Sequence, residues 1–104
     1  MPNKGNAHVD IPHDELLRFA ERWRVQSLAL FGSVLRSDFD AHSDIDILVS
    51  FLPDNDIDLF DMVEMKNELE RLFRRPVDLV ERDALTNPYR KSEILAHHEI
   101  IYAA

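Results

Sequence analysis

The stretch Asp44-Ile45-Asp46-Ile47-Leu48-Val49-Ser50-Phe51 constrains the fold more than any other part of the chain. Its isoleucines and valine suit an extended strand, and alternate side chains of a strand project to opposite faces. Ile45, Ile47 and Val49 therefore point one way, while Asp44, Asp46 and Leu48 point the other. A segment built to enter a core thus carries two carboxylates on one face. At a separation of about 4 Å they repel by roughly 4 kcal/mol at an effective dielectric of about 20. By composition alone, the simpler reading is a pair of solvent-facing charges on an edge strand. The other reading is a cation held between them, and an oxygen-only donor set favours Mg²⁺ or Mn²⁺ over zinc.

The surrounding sequence supplies the frame. Residues 1–8 are polar and aperiodic and are expected to be a disordered start, with residues 9–104 forming one domain. "IPHDELLRFAERW" predicts an amphipathic helix with Leu16, Phe19, Ala20 and Trp23 inward, and "VQSLALF", Val25 to Phe31, predicts a buried strand. Ser33 to Ser37 allows only a short helix. After the Asp44–Phe51 strand, an acidic loop leads to a helix from Leu59 to Phe73, whose expected inner positions are Leu59, Met62, Val63, Leu69, Leu72 and Phe73. "PVDLV", Pro76 to Val80, predicts a third strand, and Tyr89 to Ile101 a last helix with Ile94, Leu95, His98 and Ile101 inward. The expected architecture is α/β (α+β): a small β-sheet, here of three strands, flanked by helices.

Gly32-Ser33 shifts the reading of the acidic pair. Glycine after a buried strand lets backbone approach a ligand closely, and the start of a short helix offers N–H groups and a seryl hydroxyl to an anion. Alone, Gly-Ser is an ordinary turn. Beside Asp44 and Asp46, it sets an anion-binding corner next to a metal-binding strand, the parts that phosphoryl or nucleotidyl transfer needs. Asp78, inside the apolar Val77–Val80 segment, is the candidate third carboxylate. Asp54, Asp56, Asp58, Asp61 and Glu64 lie in a loop or at a helix start, where solvation or the helix dipole accounts for them. Arg36 either reaches a nucleotide phosphate or pairs with Asp38 or Asp40. His97 and His98, adjacent on the expected helix, make no chelating pair; His98 is read as inward and His97 as surface.

The string Gly32-Ser33, ten residues, Asp44-Ile45-Asp46, then a third acid at Asp78 resembles the nucleotidyltransferase superfamily that includes DNA polymerase β. More narrowly, "LFGSVLRSDFDAHSDIDILVSF", "RPVDLVERDAL" and "RKSEILAHHEIIY" are similar to the minimal nucleotidyltransferases, antitoxin partners of HEPN-domain toxins, over about Val9 to Tyr102. That resemblance implies a polymerase β-like fold and an enzyme that transfers AMP from ATP to a tyrosine of a cognate HEPN ribonuclease, silencing it. It implies that Gly32, Ser33 and Arg36 bind the nucleotide. Asp44 and Asp46 would bind two Mg²⁺ ions, with Mn²⁺ as a substitute, and Asp78 would bind one of them and help activate the nucleophile. Ala41-His42 and His97-His98 depart from the usual pattern at positions bearing on substrate contacts. Two other functions are open: an antitoxin that masks the toxin without chemistry, and, more distantly, an aminoglycoside-type small-molecule adenylyltransferase, for which 104 residues leave no acceptor domain.

Composition narrows the partners. Twenty acidic against twelve basic residues give a formal charge of -8, which repels a nucleic acid and suits a basic protein partner. The absence of cysteine removes disulfides, thiolate metal sites and thiol catalysis. No segment has the length and apolarity of a membrane span or a secretory signal, so a cytoplasmic location is expected.

Overall fold

Pro12, Asp14 and Glu15 open helix α1 (His13–Arg22), which buries Leu16, Phe19 and Ala20. Arg24, in the left-handed conformation at φ 55°, turns the chain into strand β1 (Val25–Phe31). These elements are seen in a computed structural model that describes residues 9–37, 39–40 and 42–104. The expected disorder of residues 1–8 and the expected pairing of Asp38 lie outside the described residues.

A short 3₁₀ helix, Gly32–Leu35, follows β1. Strand β2 (Ile45–Phe51) runs antiparallel to β1, with Phe31 opposite Asp46 and Leu28 opposite Val49. Helix α2 (Leu59–Phe73) then carries the chain back, so that β3 (Val77–Glu81) lies parallel to β2, with Asp46 beside Asp78. Such a parallel pair requires a crossover connection of this kind. Asp58 and Asp61 form a reciprocal cap at the start of α2: the Asp61 N–H donates to Asp58 Oδ1 at 2.8 Å and the Asp58 N–H to Asp61 Oδ2 at 3.1 Å. This is the helix-start role expected of them.

The C-terminal segment corrects the sequence reading. Helix α3 covers only Pro88–Ala96; the chain then extends as β4 (His98–Ala103), antiparallel to β1. The sheet has four strands, ordered β3-β2-β1-β4, rather than three, and His98 and Ile101 belong to a strand. The open edge of β1 offers a ladder of hydrogen bonds, and β-branched Ile100 and Ile101 with Tyr102 suit a strand better than a helix.

Alternation divides the sheet. On one face Leu28, Leu30, Ile45, Ile47, Val49 and Val77 pack against α1 and, on α2, Met65, Leu69 and Phe73. On the other, Ala29, Phe31 and Leu48 pack under Ile94 of α3. The inner stripe of α2 is therefore Met65, Leu69 and Phe73 at i, i+4 and i+8. Leu59 and Val63, expected inside, are 82% and 58% exposed because at helical spacing they fall outside the Met65, Leu69 and Phe73 stripe of α2. No helix among the described residues is long and apolar enough to cross a membrane.

Candidate active site

The register across the sheet creates the site. Asp78 lies beside Asp46, Asp46 opposite Phe31, and Phe31 opposite His98, so these four residues form one row on the α3 face. Asp44 sits just before β2 and is exposed, as is Asp78; Asp46 is half-buried. The sequence reading placed Asp44 and Asp46 on one side and named Asp78 as a third acid; the parallel β2–β3 pairing sets Asp78 beside Asp46.

Gly32 is what lets Asp46 settle. Its φ is +75°, and a Cβ added there would stand 2.3 Å from Asp46 Oδ2. Both the backbone conformation and the space therefore demand glycine. The Ser33 N–H donates to the Asp46 carboxylate. Ser33 Oγ donates to the Asp44 carbonyl at 3.4 Å. The anion facing the Gly-Ser corner is thus the chain's own aspartate, and the corner holds both acidic positions in place. Arg36 caps the 3₁₀ turn, its N–H donating to the Ser33 carbonyl at 2.9 Å.

Burial pushes the Asp46 carboxyl above its ordinary pKa of 3.8, with further upward pressure from Asp78 and then Asp44. The Ser33 N–H and the Arg36 charge oppose that rise without cancelling it. Asp46 is thus a partly buried carboxylate with two like charges near it, a setting that favours a cation.

The approach to β2 is tied down from outside the site. Arg75 Nη1 donates to the carbonyls of Asp40 at 2.8 Å and Ser43 at 3.1 Å, and its guanidinium lies 4.4 Å from the centre of the Phe39 ring. Asp40 Oδ1 accepts from the His42 N–H at 2.8 Å and from Ser43 Oγ at 3.2 Å. Asp40 is thus a loop residue, as the sequence suggested. Arg75, predicted to complement the α2 dipole, has a role in positioning Asp44 that no local pattern encodes.

Beyond Asp46, on the side away from Asp78, a cleft of about 620 Å³ opens from Gly32 and Arg36 toward α3 and the start of β4. Arg90, Glu93, His97, His98 and Glu99 line it, above the apolar floor of Phe31 and Ile94. His98 Nδ1 donates to the Leu95 carbonyl at 2.8 Å, which fixes its half-buried ring. The sequence reading missed this cleft because it placed His98 on a helix; the Ile100-Ile101-Tyr102 run was the available signal.

Comparison with known proteins matches residues 15–101 to a nucleotidyltransferase domain. Protein adenylyltransferase MntA of Thermococcus cleftensis is 34% identical over 92 residues, 86% of this chain and 84% of the relative. A Methanocaldococcus jannaschii protein with the provisional name of protein adenylyltransferase is 39% identical over 90 residues, 86% of each chain. Among solved structures, a toxin–antitoxin complex with AMP-PNP matches with a TM-score of 0.72 at 19% identity, over 90% of this chain and 75% of that one. A complex of tri-AMPylated Shewanella oneidensis HEPN toxin with MNT antitoxin matches with a TM-score of 0.64 at 19% identity, over 88% and 70%. The structural matches establish a shared fold. The domain match over most of the chain, with relatives above 30% identity, shows that the chain belongs to the nucleotidyltransferase domain family.

Proposed function

We propose that residues 9–104 form an antitoxin nucleotidyltransferase that moves AMP from ATP onto a tyrosine of a cognate HEPN-type ribonuclease, silencing it in the cytoplasm. The observation that carries this reading is the seating of Asp46 against Gly32, with Asp78 in register beside it. The relatives named protein adenylyltransferases and the fold shared with an antitoxin crystallised on an AMPylated toxin support the acceptor class. The charge of -8 suits a basic ribonuclease partner.

In this reading Gly32, Ser33 and Arg36 hold the triphosphate, Ser33 Oγ turning from its long 3.4 Å contact with the Asp44 carbonyl to a phosphate oxygen while the Ser33 N–H keeps Asp46 in place. The tyrosyl oxygen attacks the α-phosphorus in line, the bond from that phosphorus to the bridging oxygen breaks, and pyrophosphate leaves with the bonding electrons. Asp78 receives the tyrosyl proton. Asp44, Asp46 and Asp78 would hold two Mg²⁺ ions, or Mn²⁺ in their place. The donor set fits: it is carboxylate oxygen only, and Asp46 stands near the like charges of Asp78 and Asp44. Among the described residues no three acidic or histidine side chains converge closely enough to hold a metal unaided, so nucleotide oxygens would complete the shell. The metal would supply charge neutralisation on the reacting phosphate and acidification of the attacking hydroxyl.

The test is to incubate the chain with ATP, Mg²⁺ and the HEPN protein encoded beside it, and to weigh the HEPN protein. Adenylyl mass is expected with the natural chain, and a loss of at least about 100-fold in rate with Asp44→Ala or Asp46→Ala. No added mass with the natural chain would sink the proposal. Full neutralisation of the toxin in cells by a folded Asp44→Asn, Asp46→Asn double variant would instead establish masking, to which the acidic surface is also suited.

A further inference from the structure

In-line transfer fixes a direction. The leaving pyrophosphate must depart opposite the attacking oxygen, and under the function proposed above Asp78 marks the attacking side. The order across the sheet is Asp78, Asp46, Phe31, His98, so the leaving group points across Asp46 toward Gly32, Arg36 and the cleft beyond them. The cleft's lining includes Phe31 and His98 but neither Asp46 nor Asp78, which places it on the leaving side.

That cleft sets two arginines, Arg36 and Arg90, against two glutamates, Glu93 and Glu99, so its lining is formally neutral in a chain of charge -8. Arg36 stands at its Gly32 end and Arg90 on its α3 wall, with His97 and His98 at the turn from α3 into β4, where His98 Nδ1 is taken by the Leu95 carbonyl. Among the described residues the Arg90 guanidinium has no hydrogen bond or ion pair, although Glu93 and Glu99 line the same cleft. A guanidinium without a carboxylate partner suits a phosphate group, which it can meet with two parallel N–H donors.

We infer that Arg90, which lines this cleft together with Arg36, binds the β- and γ-phosphates of the nucleotide and holds the departing pyrophosphate. This inference rests on the nucleotidyltransferase reading of the site. It assigns α3 a part in substrate binding, whereas the sequence motif confines phosphate contacts to Gly32, Ser33 and Arg36.

Titration calorimetry on the full chain with Mg²⁺ separates the possibilities, using inorganic tripolyphosphate and AMP as probes. Arg90→Gln should weaken tripolyphosphate by about tenfold or more while leaving AMP affinity within about twofold, because a charged hydrogen bond to phosphate is lost. Arg90→Lys should recover part of the loss by restoring charge without the planar fork. Arg90 is exposed, so both variants are expected to fold, and an unchanged melting temperature checks this. Unchanged tripolyphosphate binding in Arg90→Gln overturns the inference. So does weakened AMP binding with tripolyphosphate unaffected, which would make the cleft a nucleoside site. If the natural chain modifies its partner but the Arg90 variants bind tripolyphosphate normally, only the inference falls. If the natural chain binds neither probe and modifies no partner, the functional reading falls with it.

Discussion

The two faces of the sheet are built from the same strands to opposite ends. Among the described residues, fifteen buried ones fill the α1–α2 face, all of them apolar, and the carboxylates at its margin are satisfied. Glu70 accepts the Val77 N–H at 2.9 Å and Lys66 at 3.0 Å; Glu68 accepts the Trp23 indole N–H at 3.1 Å and pairs with Arg22. On the α3 face, among the described residues, only Ala29, Phe31, Leu48 and Ile94 form a buried cluster, and the row of Asp46 and Asp78 lies at the edge of that cover. One face is consistent at every level, from pattern to packing to charge. The other gives up packing to leave carboxylates and a cleft accessible, and such local inconsistency is where a fold places function.

If the division is real, equal lesions should cost unequally. Leu69→Ala empties a fully buried position and should destabilise by about 3 kcal/mol, within the usual 2–5 kcal/mol for such truncations. Ile94→Ala, 6% exposed and in the four-residue cluster, should cost about 2 kcal/mol, since a thin layer can collapse onto the gap. Urea denaturation of both variants measures the difference, and equal losses would break the comparison.

Gly32→Ala strikes the junction between the faces. A side chain at φ +75° is strained, and its Cβ would meet Asp46 Oδ2 at 2.3 Å, so either the turn or the carboxylate must move. A stability loss of about 1–2 kcal/mol is expected. The transfer rate should fall by at least about tenfold even though every proposed metal ligand remains, because displacement of a positioned group is costly in itself. Retention of full activity would show that the close seating of Asp46 is incidental.

The same division explains what could be read from sequence. The short apolar run of β1, the alternating faces of β2, the helical period of α1 and the acidic capping residues of α2 are local patterns, and the structure carries them as expected. Asp44, Asp46, Gly32 and Ser33 were legible because their spacing is local, and Asp78 because a carboxylate interrupts an apolar strand. What escaped depends on distant partners. His97 ends α3 without the usual glycine or proline signal, and β4 forms because β1 has a free edge. Arg75 looks like a helix-end charge until the fold brings it to the Asp40 and Ser43 carbonyls. The cleft and Arg90's place on it follow from that unforeseen strand.

The smallest effects sharpen the comparison most, because two carboxylates titrate with opposite signs. Asp46 holds its proton more tightly folded than unfolded, so its ionisation opposes folding at neutral pH. The penalty is absent below the ordinary value of 3.8 and grows as pH rises from there through the raised folded-state value. In chelator, Asp46→Asn should therefore be more stable than the natural chain at neutral pH, on the order of 0.5 kcal/mol after solvent screening, and the gap should close as pH falls toward 3.8. Glu70 is held below its ordinary 4.5, first by the Val77 N–H and then by Lys66, so its ionisation favours folding above 4.5 and that support is lost as pH falls through the depressed value. Glu70→Gln should lower the melting temperature at neutral pH, and in acid its deficit should shrink. Melting curves across that range, run on both variants, should thus displace in opposite directions from the natural chain and converge on it in acid. If Asp46→Asn destabilises at neutral pH as Glu70→Gln does, the crowded carboxylates of the α3 face are structural partners like those opposite them, and the functional division between the faces is lost.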